Sequence, residues 1–131
     1  MRGLIGKKIG MTRIFNESGH AIPVTVVQAG PCIVTQVKNI KKDGYEAVQV
    51  GYLNRELKHT SKPLQGHFDK SGVRPKKVIL EFEKVPGFDY KVGQSFHVGI
   101  FNQGDLVRVS GKSKGKGFTG VIKRHNFARQ K

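Results

Sequence analysis

Six residues near the carboxyl end, Gly115-Lys116-Gly117-Phe118-Thr119-Gly120, spell the G-x-G-x-x-G pattern that cradles the pyrophosphate of a dinucleotide or covers ATP in a kinase. That chemistry needs a buried strand before the glycines, a helix after them, and an acid about twenty positions on to hold a ribose. Here the preceding stretch is rich in lysine, and eleven residues follow Gly120, none of them acidic. The phosphate-loop pattern of nucleotide hydrolases fails as well. Three residues separate Gly111 from Gly115 where the pattern has four, and Gly117 stands where Ser or Thr would hold magnesium. A phosphoryl-transfer enzyme is therefore only a minor alternative, one that nucleotide binding would reveal.

The same glycines suit a polyanion. Lacking a Cβ, they let backbone N–H groups approach phosphate oxygens while interleaved lysines neutralise them. Gly111, Gly115, Gly117 and Gly120 are the expected points of close backbone approach, with Lys112, Lys114 and Lys116 between them. Lys123-Arg124-His125-Asn126-Phe127 then supplies two cations, two hydrogen-bonding side chains and a ring. A guanidinium grips phosphate in bidentate fashion, and His125 and Phe127 offer flat faces to unstacked bases. Arg108, Arg129 and Lys131 extend the set. A solvated tail that binds polyanions without register is the plainer reading. Phe118, Val121, Ile122 and Phe127 favour an ordered contact, because purely electrostatic tails seldom carry apolar anchors. A second basic-glycine segment runs from Gly3 to Thr12 and includes Lys7 and Lys8. It reads either as an edge strand guarded by charge or as a further strand facing phosphate, with both lysines against RNA.

Other chemistry is hard to assemble. The histidines (His20, His59, His67, His97 and His125) show no metal-ligand spacing such as H-x-x-x-H. Glu81 and Glu83 would share one side of a strand, where pairing with lysines on an exposed face outweighs an acid/base couple. Ser61 and Ser113 lack a nucleophile elbow. Cys32, the single cysteine, stands beside Ile33 and Val34 and reads as a buried inert thiol in a reducing, cytosolic setting. No cofactor, metal, small-molecule substrate or catalytic role is expected.

Charge divides the chain in two. The full sequence of 131 residues carries 24 Lys+Arg against 9 Asp+Glu, a formal +15, which points to a polyanion partner. Residues 106–131 hold eight of those cations and no acid, so more than half of the excess lies in the last fifth. We place the boundary near Asp105, with a body over residues 1–105 and a basic extension over 106–131. Apolar residues make up 37% and glycine 17 of 131, which implies a modest core and much solvated backbone. The longest stretch without formal charge, Ser18 to Val37, is half polar and broken by Pro23 and Pro31, so no membrane span is expected. No secretory leader is expected either, since Gly6-Lys7-Lys8 cuts short the apolar start.

The elements that must carry these groups are strands. Ile22–Val26, Cys32–Val37, Ala47–Tyr52 and Lys77–Glu83 alternate or cluster β-branched residues, with Val48, Val50, Tyr52, Val78, Leu80 and Phe82 facing inward. Ser95–Val98 and Leu106–Val109 read as two more short strands. One short helix fits Pro63 to Lys70, started at Ser61 or Lys62 and stopped by Gly72. Turns fall at Asn16–Gly19, Gly30-Pro31, Lys42–Gly44 and Pro86-Gly87. The fold class is mainly β, a sandwich or small barrel.

Two stretches carry a family likeness. Leu4-Ile5-Gly6-Lys7-Lys8-Ile9-Gly10-Met11-Thr12-Arg13-Ile14-Phe15, with Ile22–Val26 and Val34–Val37 after it, closely resembles the bacterial-type ribosomal protein L-three family of the large subunit. So does Ser110–Gly120 with Lys123–Phe127, the more family-specific piece, and the likeness covers the whole chain. It implies a closed or partly closed β-barrel of the kind found in translation factors. It also implies a long basic loop threading ribosomal RNA toward the peptidyl transferase centre, begun by Gly111–Gly120 and Lys123–Phe127. Implied partners are large-subunit ribosomal RNA and neighbouring ribosomal proteins in the cytoplasmic ribosome, with a role early in subunit assembly. Arg108 departs from the family signature, which has Asp or Asn there. Family members continue well past a position like Lys131, so the chain is expected to be a piece of a longer product. A barrel ending here would lack strands and expose an edge. The rival is a non-specific polyanion-binding RNA chaperone or nucleoid-type protein.

Overall fold

The computed structural model describes residues 3–129. Six strands carry the fold: β1 (Gly6–Phe15), β2 (Ala21–Ala29), β3 (Cys32–Lys38), β4 (Ala47–Asn54), β5 (Lys76–Phe82) and β6 (Ser95–Phe96). Three α-helical segments accompany them, α1 (Ile40–Asp43), α2 (Lys62–Ser71) and α3 (Val121–His125), with two short 3-10 turns at Leu57–His59 and Val98–Ile100. The chain is mainly β. Its strands form two sheets, the β1–β2 hairpin and an antiparallel sheet in the order β5-β4-β3-β6. No sheet closes on itself among the described residues, so the expected closed barrel is not present in this part of the chain.

The sheet owes its register to β-branched alternation. Val48, Val50 and Tyr52 of β4 lie opposite Phe82, Leu80 and Val78 of β5, which puts all six on one face. Val34, Val48 and Val50 are fully buried there, joined by Cys32, Tyr52, Phe96 and Ile5. The thiol of Cys32 donates to the Ile5 carbonyl at 3.6 Å, and burial pushes its pKa above the ordinary range. The base of the hairpin is tied to this core. Gly30 N–H donates to the Ile5 carbonyl at 3.1 Å, and the Tyr52 hydroxyl donates to the Gln28 carbonyl at 3.1 Å.

A polar network and α2 cover the opposite face. The Thr35 hydroxyl and His67 Nε2 both donate to Gln49 Oε1, each at 2.8 Å, and Gln49 Nε2 donates to Glu81 at 3.2 Å. Lys38 and the Tyr45 hydroxyl converge on the Glu81 carboxylate at 2.8 and 2.7 Å. The hydrogen bond from Lys38, then that from Tyr45, holds Glu81 below the usual carboxylate range. Helix α2 starts after Ser61 and ends where Gly72 turns left-handed at φ 64°, as its sequence signals predicted.

Several expectations need correction. Leu80 shares the face of Val50, yet it is 50% exposed because β5 is an edge strand with nothing beyond it. The strand expected at Leu106–Val109 is absent: those residues are exposed and pair with no strand among the described residues. The one at Ser95–Val98 shrinks to two residues, since Val98 to Ile100 tighten into a 3-10 turn. The single expected helix is joined by two others. Lys42-Asp43-Gly44, read as a simple turn, is the end of α1: Asp43 accepts the Asn39 N–H at 3.0 Å and Gly44 closes the helix at φ 80°.

Candidate nucleic-acid interface

The basic segment has little structure of its own. Residues 106–120 form neither helix nor strand, and from 106 to 129 only Thr119 is less than exposed. Leu106 and Phe118 lie wholly in solvent, an arrangement that water alone disfavours for apolar side chains of this size. The G-x-G-x-x-G pattern lacks both supports that a nucleotide needs, a strand before it and a full helix after it, because α3 is five residues long.

Glycine is needed for the chain's own geometry at only one of the four expected contact positions. Gly117 is left-handed at φ 65°. At Gly111, Gly115 and Gly120 the φ is ordinary for any residue, and an added Cβ would meet nothing within 4 Å. No intramolecular crowding accounts for those three glycines.

Helix α3 sorts the next cluster. At 100° per residue, Lys123, Arg124 and His125 fan around a single turn, so they cannot all face one flat surface. Arg124 lies over Val121, and His125 over Ile122, at i, i+3 spacing. Asn126 ends the helix at φ 56°, a left-handed cap position that asparagine tolerates better than most side chains. Its identity is thus accounted for by the backbone as well as by any RNA contact. The rings of His125 and Phe127 meet edge to face, 6.2 Å apart at 84°. Arg108, Lys112, Lys114, Lys116, Lys123, Arg124 and Arg129 are exposed, and among the described residues none of them meets a carboxylate. Lys131 lies outside the described residues.

The body neutralises part of its own charge through Lys38–Glu81, Lys58–Glu56 and Lys84–Glu46. Lys7 and Lys8 sit exposed on β1 but on opposite faces of the hairpin, paired with Gln28 and Val27. A bulge at Ile9 switches the alternation, so Lys8 shares a face with Met11, Arg13 and Phe15, while Lys7 lies on the side of Ile14, Val24 and Val26. One flat RNA surface cannot take both lysines. Arg13, which charge and spacing did not single out, is the cation that accompanies Lys8. Simple period-two counting from the sequence would have grouped it with Lys7. Among the described residues no hydrogen bond or ion pair joins the hairpin to the basic segment.

No family model matches the chain. Over 129 residues it is 50% identical to the large ribosomal subunit protein uL3 of Finegoldia magna, an alignment covering 98% of this chain and 62% of that relative. Over 127 residues it is 52% identical to the uL3 protein of Acidothermus cellulolyticus, covering 97% and 57%. The chain spans about three-fifths of the length of these curated relatives. Half of all positions agree across nearly the whole chain, the hairpin and the glycine-lysine stretch included, and the chain belongs to the family of the large ribosomal subunit protein uL3.

Proposed function

We propose that the chain is a structural, RNA-binding constituent of the large ribosomal subunit in the cytoplasm, without catalysis of its own. In this reading residues 106–131 form an arm that follows ribosomal RNA toward the peptidyl transferase centre. The body sits among neighbouring ribosomal proteins and helps organise the RNA early in assembly. The observation that carries the reading is the exposed arm: cations without carboxylates, apolar side chains left in water, and glycines that no contact within the chain requires. Each finds a partner in a folded RNA, where phosphates meet Lys112, Lys114, Lys116, Lys123, Arg124 and Arg129, and bases or riboses meet His125 and Phe127. Further strands of a longer chain, set against the bare apolar side of the hairpin and the open β5 edge, would close the barrel.

The test is binding to large-subunit ribosomal RNA across a salt series, followed by sedimentation with large subunits through high salt. With all eight cations of residues 106–131 engaged, log K against log salt should fall with a slope of about −5 to −6, at ~0.7 per single-strand-like phosphate. A slope shallower than about −2 overturns the phosphate assignment. Equal affinity for duplex DNA and unrelated RNA, with every lysine pair equally costly to neutralise, would mark a general polyanion binder instead.

A further inference from the structure

The body holds a second concentration of unpaired positive charge, away from the arm and the hairpin. A depression of about 340 Å³ opens between the end of α2 and the β4–β5 edge, lined by Asn54, Gly72, Arg74, Lys76 and Gly93 among others. Lys76 is only 9% exposed, and it has no carboxylate partner among the described residues. Its ammonium carries three N–H donors, and Asn54 Oδ1 accepts one at 2.7 Å. Burying a charge without a counter-charge is costly, and the cost is compounded here by the neighbouring Arg74. Burial first, then Arg74, pulls the Lys76 pKa below its ordinary value.

The arrangement is built rather than incidental. The stem of Lys76 lies across Gly51, where a Cβ would fall 2.9 Å from Lys76 Cβ and closer still to Cγ. Asn54, the register partner of Lys76, follows Leu53, a non-glycine residue held left-handed at φ 57°. Such a conformation is strained for a residue with a side chain and persists where surrounding structure fixes it, often beside a binding site. The carboxyl end of α2 would oppose an anion, but Gly72 and Val73 N–H groups already occupy the Asp69 and Phe68 carbonyls.

We propose that this depression is a phosphate-binding site, in which Lys76 and Arg74 take one RNA phosphodiester against the body, independently of the arm. The assignment rests on the RNA-binding reading above. An RNA phosphate is favoured over an acidic protein segment because the two cations and a shallow opening suit one compact oxyanion, whereas a peptide would need a groove.

The experiment compares the full chain with Arg74→Ala, Lys76→Met and Lys112→Ala/Lys114→Ala/Lys116→Ala, each titrated with large-subunit ribosomal RNA across a salt series. Arg74 is exposed, so its replacement leaves the core intact, and Lys76→Met keeps the stem while removing the charge. Each body variant should make the salt slope shallower by ~0.7–0.9 and weaken binding about three- to tenfold at moderate salt. These losses should add to the arm variant's loss of ~2 in slope. An unchanged slope for Arg74→Ala, beside a clear loss for the arm variant, overturns the pocket and leaves the RNA-binding reading standing. If Arg74→Ala then weakens retention only in particles containing other ribosomal proteins, the depression meets an acidic protein and the proposal fails. No RNA affinity in the parent chain overturns both.

Discussion

Gly51→Ala puts the packing between β4 and β5 to a direct test. The new Cβ would stand 2.9 Å from Lys76 Cβ and 3.3 Å from Thr35 Cγ2, with Lys76 Cγ nearer than either. These are atoms close to the backbone, not the tip of a mobile side chain, so relief requires β5 to shift. Overpacking of this kind costs about 1–3 kcal/mol. Alanine returns ~0.4–1 kcal/mol by restricting the unfolded chain, a gain open here because Gly51 is not among the left-handed glycines. The clash wins, leaving a net loss of about 1.5 kcal/mol. At about 4 °C per kcal/mol for a chain of this size, Tm should fall by roughly 6 °C in a circular-dichroism melt. In a Lys76→Ala background Cγ is gone and at least half the penalty should vanish. A Gly51→Ala variant as stable as the parent, or a penalty unchanged without the lysine stem, refutes the steric argument.

Phe127→Ala should leave Tm within about 1 °C, because the ring is 60% exposed, yet weaken binding to large-subunit ribosomal RNA about tenfold in a filter assay if the ring stacks on a base. Arg124→Ala should lose a similar factor and also flatten the salt slope by ~0.7, which distinguishes a phosphate contact from a stack. Glu81 has a folded pKa below its unfolded value, so its contribution is complete above the ordinary carboxylate range and disappears as pH falls through the folded pKa. The difference in urea midpoint between the parent and Glu81→Gln should therefore be full at pH 7 and vanish in acid; a constant difference rules out the Lys38 pairing as its source. Cys32 is fully buried with its thiol pKa pushed up, so an aromatic disulfide reagent should label it only as fast as urea unfolds the chain. Labelling within seconds in native buffer would contradict that burial.

Strands β3 and β4 could be read directly, because Cys32–Val37 and Ala47–Tyr52 concentrate β-branched residues whose alternation matches one buried face. The limits of α2 were equally plain, since Ser61 and Gly72 are local start and stop signals that no tertiary contact overrides. What escaped depends on neighbours. Leu80 has the right parity for burial, but no strand lies beyond it, and Leu106–Val109 has strand-like alternation yet pairs with no strand among the described residues. The bulge at Ile9 leaves no mark in composition, so the pairing of Lys8 with Arg13 could not be counted from the sequence. The cations of residues 106–129 were visible as charge, whereas the cap position of Asn126 appears only once α3 is known to be a helix. Lys76 gave no signal at all: a lysine at the start of a β-rich run reads as a solvated charge until Gly51 is seen beneath it.

The β1–β2 ribbon carries Ile14, Ile22 and Val26 uncovered on one side and Met11 and Phe15 on the other. Two strands alone bury too little to be content in water. A chain that leaves these side chains in water is adhesive, and at high concentration its copies would stick to one another. Lys7, on the greasy side, and the proline at Pro23 act as partial guards. How concentrated the chain can be kept in solution would then depend on whether this ribbon is covered.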